Sequence, residues 1–413
     1  MRKRQIRIIA CCFLLCMLVL GCNGGRETDE IAWVLTIGVD KADDDLAITY
    51  RIAVPKELAG ESSKDSKHAT TVVTVKAPTL AEGRNLLNAT LSRAVSLSQV
   101  RLIVISEELA YAGVDDLIGP LTRFREFRGS IFVLVARGNI REIFEKNTPV
   151  LETLTSRWVE NSIQSSNEAA YYPKATLHEF YQRLKSASGA PYAMYYSLNP
   201  LTGQGRPSGE KVDGEASKQY LPGDIPRNGG DPAEIVGTAV FNSSKMVGAL
   251  DSEETRAFII MQDRLDRSFL VVEDPLTQKH KINIAIRNGR KPKIEILSLG
   301  EKPVIRIDVF LEGEITAIPS GIAYEEPEYR SLLEKQVSNV IKRQLQDMLA
   351  KTQSWGADIV DFGYYSRGMF STTQELFAYN WRKRYQFAQF DITVQTELRR
   401  SGLMQKSIPI QKE

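Results

Sequence analysis

A basic cluster, Arg2, Lys3, Arg4 and Arg7, stands ahead of an unbroken apolar run from Ile8 to Leu20. The run is shorter than the ~20 apolar residues a helix needs to cross a bilayer. A basic start, an apolar centre and then Gly21 read as a secretory signal over residues 1–21. Residues 22–30 are polar and glycine-bearing, a short tether. From Ile31 to Asp40 the sequence is too apolar for a half-exposed strand and predicts a buried one. Leu46 to Val54 alternates and pairs with it through a turn at Asp43, Asp44 and Asp45. Glu57 to Ala69 is a polar loop, and Thr70 to Lys76 is a further strand.

Helical spacing returns over 79–95, where Leu80, Leu86, Leu87, Leu91 and Val95 recur. Val100 to Ser106 predicts a strand, Glu107 to Phe124 mostly helix, and Ser130 to Ala136 another strand. Helical patterns follow over 139–147, 149–164 and 174–187. Hairpin-like strands and then a β-α-β-α alternation predict a mixed sheet with helices packed on it. Residues 199–233 are rich in Gly and Pro and poor in large apolar side chains, the pattern of a linker.

Beyond it, Ile235 to Asn242 and Lys245 to Leu250 predict a hairpin across Asn242, Ser243 and Ser244. Ser252 is expected to cap a short helix, with Glu254 and Arg256 on its polar face and Phe258, Ile259 and Met261 inward. Strands over 267–273, 279–287, 292–299 and 303–317 predict a meander with one buried face. Leu333, Val337, Val340, Ile341, Leu345, Met348 and Leu349 form one stripe of the longest helix, 326–352. Glu325, Glu326 and Glu328 lie at its start, where the helix dipole favours acid. A last strand runs over 387–398. The fold class is α/β, of the mixed α+β kind.

The chain has 413 residues, with 53 Lys and Arg against 51 Asp and Glu. Removing residues 1–21 takes four basic groups and no acidic one, which turns the formal +2 into −2. Without a basic field, nucleic acid is excluded as the main partner. A hydrophobic content of 43% is ordinary for a chain that buries a core. The four cysteines are Cys11, Cys12, Cys16 and Cys22. Once the signal is gone only Cys22 remains, so an internal disulfide, a thiolate zinc cluster and a dithiol redox pair are excluded.

Little else carries chemistry. His68, His178 and His280 have no chelating spacing. Ser366, between Gly363 and Gly368, has the wrong spacing for a nucleophile elbow. Asp43, Asp44 and Asp45 lack the spaced ligands of a calcium loop. No catalytic residue, metal site or cofactor is expected. Arg123, Arg125 and Arg128, with Glu126 among them, read as helix-end charge with surface ion pairs. The sharper alternative is a contact for an acidic partner surface or acidic lipid heads. Tyr364, Tyr365, Phe370, Phe377, Tyr379, Trp381, Tyr385, Phe387 and Phe390 form the densest aromatic cluster. It reads as core packing, with a partner groove at Trp381 and Arg382 as the alternative.

Val19 to Cys22 resembles the lipobox of bacterial lipoproteins, in which the cysteine takes a diacylglycerol on sulfur and an acyl chain on its amine. More broadly, the chain resembles the Ger(x)C spore-germination lipoproteins, the C subunits of nutrient germinant receptors. The resemblance rests on Arg26 to Glu30, Ile37 to Asp40, Leu97 to Glu107 and Arg123 to Arg128. Past the linker it rests on Ile235 to Phe241, Lys245 to Leu250, Glu253 to Thr255, Asp361 to Gly363 and Trp381. Asn23, Ser371 and Thr372 depart from the usual pattern.

The resemblance implies three domains, each a mixed or antiparallel sheet flanked by helices: 31–198, then 234–300 and 301–413 after the 199–233 linker. It implies a non-enzymatic subunit, lipid-anchored at Cys22 to the outer face of the spore inner membrane. Its partners would be an A subunit and a membrane-embedded B subunit, with the small-molecule ligand unspecified. The family has no established catalytic residues. The rival reading is a solute-binding lipoprotein of a transporter, which needs two similar lobes; the predicted meander speaks against it.

Overall fold

The computed structural model describes residues 4–5, 30–54, 70–147, 149, 160–163, 166–201 and 219–400. Cys22, nearly all of the signal and tether, His68 with its loop, most of the 149–164 pattern and linker residues 202–218 lie outside the described residues.

Strands β1 (Ile31–Ala42), β2 (Asp45–Ala53) and β3 (Thr70–Ala77) form an antiparallel meander. Then come α1 (Leu80–Thr90), β4 (Ala94–Ser96), β5 (Leu102–Ser106), α2 (Glu107–Ala112) and α3 (Asp115–Arg123). They are followed by β6 (Phe132–Arg137), α4 (Ile140–Lys146), α5 (Ser166–Ala169), α6 (Leu177–Lys185) and β7 (Tyr192–Leu198). The hairpin β8 (Ala233–Asn242) and β9 (Lys245–Leu250) ends this half. These nine strands form one sheet, in the order β3-β2-β1-β5-β6-β7-β8-β9, with β4 beside β1. Its centre, β1-β5-β6-β7, is parallel and its two wings are antiparallel.

Alternation along β5 sends Ile103 and Ile105 to one face, with α1, α2, α3 and α6, and Leu102 and Val104 to the other, with α4. In β1, Ala32 and Val34 share a core with Ile37 and Val39, although their parity differs. The irregular register between Val34 and Thr36 explains this, because one extra residue exchanges the faces of everything beyond it. Strand β7 was not expected from the sequence. All but its last residue is buried, so neither alternation nor a helical stripe shows.

The second half contains α7 (Ser252–Met261), β10 (Ser268–Glu273), β11 (Lys281–Ser298), β12 (Val304–Ala317) and α8 (Pro327–Ser354). Short helices α9 (Phe362–Tyr365), α10 (Thr373–Tyr379) and α11 (Trp381–Tyr385) precede β13 (Gln389–Arg400). The second sheet has the order β10-β11-β12-β13. Its last pair is parallel, and α8 is part of the crossover such a pair requires. The predicted stripe of α8 is buried throughout. Each such side chain contributes ~1.5–3 kcal/mol relative to exposure.

Several expectations change. The two strands over 279–299 are one strand, interrupted by register shifts from Asn288 to Lys293, so Gly289 and Pro292 mark a bulge and not a turn. The cap of α7 is Asp251, whose carboxylate accepts from the backbone of Glu253 and Glu254; Ser252 is the first helical residue. Nor has α7 a solvent face, since all ten of its residues are buried between the first sheet and α8. Inside, Arg256 donates to Gln344 at 3.3 Å, and Glu254 accepts from Lys351. The hairpin placed after the linker extends the first sheet, and the expected boundary at 300 and 301 falls between β11 and β12, which pair along their length.

Candidate functional site

The sequence candidates fall in two places. The first is the seam between the two halves, where residues 358–382 grip the loop that leads into β7. Arg183 of α6 donates to Ala190 O at 3.2 Å and Ile359 O at 2.8 Å, with its guanidinium 4.8 Å above the Tyr192 ring. Ala190 N–H donates to Asp358 O at 2.8 Å. Ser188 donates to Asp361 at 2.6 Å. The halves approach so closely that a Cβ on Gly363 would stand 2.3 Å from that of Ser188, a place only glycine can fill.

Trp381 and Arg382, expected on a partner groove, serve this seam. Trp381 is buried, and its indole N–H donates to Asp358 Oδ2 at 2.8 Å, an oxygen that also accepts from Gly363 N–H. Arg382 donates to Ser186 O at 2.7 Å and Ser243 Oγ at 2.8 Å. The indole N–H of Trp381 and both terminal nitrogens of the half-buried Arg382 are thus engaged within the chain. Burial, with Asp361 nearby, pushes the Asp358 carboxyl up to about 7. The donors that reach the carboxyl, the backbone of Phe362 and Gly363 and the indole of Trp381, oppose that rise.

The aromatic cluster divides along the same line. Phe362 and Tyr385 stack inside beside Phe390. Tyr364, Tyr365, Phe377 and Phe387 are exposed.

The second place is the end of α3 and the loop after it. Arg123, Arg125 and Arg128 are exposed there. Glu126 turns inward, where it binds Arg84 of α1 at 2.8 Å and accepts from Leu97 N–H at 2.6 Å. The Arg84 guanidinium lies 5.6 Å from the Phe124 ring, and Phe124 packs on Phe127 at 5.6 Å. Arg84 was not picked out from the sequence. A lone Glu among three arginines was the one signal of an inward tie.

His178 and His280 are exposed and far apart in sequence. Ser366 is buried and donates to Gly363 O at 2.8 Å. Asp43 pairs with Lys76 at 2.9 Å. No group of three metal-binding side chains occurs among the described residues, and no helix among them is long and apolar enough to cross a membrane.

The fold is thus a mixed α/β body of two sheets joined by a buried polar seam. A family model described as "Spore germination protein N-terminal domain" matches residues 24–198, and one described as "Spore germination B3/ GerAC like, C-terminal" matches residues 236–402. Together they span most of the chain, which belongs to the Ger(x)C family of spore germination proteins. Spore germination protein KC of Bacillus subtilis (strain 168) is 22% identical over 411 residues, 97% of each chain. Spore germination protein A3 of the same strain is 30% identical over 147 residues, 35% of this chain and 38% of A3. The crystal structure of the GerBC protein aligns with a TM-score of 0.47 at 18% identity, covering 88% of this chain and 96% of that one.

Proposed function

We propose that the protein is a non-enzymatic subunit of a spore germinant receptor, anchored by lipid on Cys22 to the outer face of the spore inner membrane. The observation that carries this reading is the ordered match of both germination domain models behind a lipobox-like Val19 to Cys22. Two acyl signals on one cysteine suffice for stable anchoring, and anchoring raises the effective concentration toward A and B subunits in the same membrane. Arg123, Arg125 and Arg128 are the side chains assigned to an acidic partner surface or acidic lipid heads. A transporter's solute-binding lipoprotein is disfavoured because the two halves are unlike, one a nine-stranded mixed sheet and the other a four-stranded one.

The test is Cys22→Ala in sporulating cells. The folded body should accumulate but leave the membrane fraction, and nutrient-triggered germination should weaken. Retention in the membrane with normal germination would refute the anchor.

A further inference from the structure

Between α1 and α3 the first half holds a cleft of about 630 Å³. Leu80, Leu97, Leu109, Leu121, Phe124 and Phe127 line it. Its floor is core, since Leu97, Leu109 and Leu121 are buried, but Leu80, Phe124 and Phe127 remain half-open to water. The volume lies in the range of small-molecule sites, ~300–1,000 Å³ of mostly apolar lining with a few polar groups. The cleft is also held open. Glu126 fastens the Phe124–Phe127 loop to Arg84 on one side and to the backbone of Leu97 on the other, so its walls are set before anything binds.

Charge narrows the ligand class. Asp44 and Asp116 line the cleft and are both exposed. Its one basic lining residue is Arg84, whose charge is matched by Glu126. Lys76, close to Asp44, is held by Asp43 at 2.9 Å. Arg123, Arg125 and Arg128 stand nearby in the chain but do not line the cleft. We infer that this cleft binds a small, largely apolar molecule bearing one positive charge, its apolar body between α1 and α3 and its cation at Asp44 and Asp116. The inference is independent of the receptor reading, because binding is measured with no other subunit present.

The test is calorimetric titration of the full chain in lipid nanodiscs, against empty discs, with 2-phenylethylamine, 2-phenylethanol and 3-phenylpropanoate. The amine should bind with a dissociation constant below the millimolar range. The alcohol should bind about fivefold more weakly, the worth of an exposed charge pair, and the acid should give no heat. Asp44→Asn with Asp116→Asn should reduce the amine to the level of the alcohol. Leu80→Trp, which fills the cleft from its rim, should abolish binding with an unchanged circular dichroism spectrum. If Leu80→Trp fails to fold, the two exposed Asn substitutions decide alone. No amine binding, equal binding of amine and alcohol, or full amine affinity in either variant would overturn the inference.

Discussion

At the end of α3 and in the loop after it, three arginines are exposed and the single acid, Glu126, turns inward onto Arg84 and Leu97. In α11 the arrangement reverses. Arg382 turns inward onto Ser186 O, Lys383 is exposed, and Trp381 disappears into the core on Asp358. Both segments are short runs of basic and aromatic residues. One presents its charge to solvent and the other uses it to join two halves of the molecule. The difference lies in what surrounds each. The 186–190 loop offers unsatisfied carbonyls to Arg382, whereas the α3 loop already has its tie in Glu126. Arginine serves such carbonyls well because its planar fork donates several hydrogen bonds at once.

The sharpest way to break the comparison is Trp381→Ala. It removes a fully buried ring and one of the donors to the Asp358 carboxyl, so a loss of ~3–5 kcal/mol is expected, read as a fall in the urea midpoint. An unchanged midpoint would show that the seam does not hold the halves together.

The seam should also respond to pH. The folded-state carboxyl of Asp358 is raised to about 7, against ~3.9 in an unfolded chain. The folded protein therefore binds the proton more tightly. This contribution is fully present below about pH 4 and is lost as pH rises through about 7. Burial, with Asp251 nearby, raises Glu254 as well, so it adds to the same trend. Urea unfolding across this range should show wild-type stability falling. Asp358→Asn should show a shallower fall, and an identical slope would remove Asp358 as the cause.

Arg382→Ala should be milder, ~1.5–3 kcal/mol for hydrogen bonds from a charged donor. Limited proteolysis of the 186–190 loop should quicken in step. At the other extreme, Arg123→Ala, Arg125→Ala and Arg128→Ala should each change the midpoint by no more than ~0.5 kcal/mol. A large effect there would mean that the exposed arginines hold the fold as Arg382 does, and the contrast would fail.

Much of the fold was legible because it rests on local periodicity. The stripe of α8, the hairpin β8–β9 and the alternation of β12 are patterns that 3.6- and 2-residue repeats impose on any amphipathic element. Elements buried on all sides were harder to read. Strand β7 shows no period because both its faces are covered, and α7 hides charged residues that the sequence assigns to solvent.

The sequence by itself determined the apolar leader, the cysteine behind it, the run of strands and helices, and the scarcity of catalytic or chelating groups. Those follow from composition and short-range spacing. Only the tertiary structure decided which arginine faces solvent, that Asp358 is matched to Trp381, and that α1 and α3 leave a cleft between them. Each of these depends on residues tens to hundreds of positions apart meeting in space, where burial sets the worth of a charge or a hydrogen bond, and no local pattern encodes that meeting.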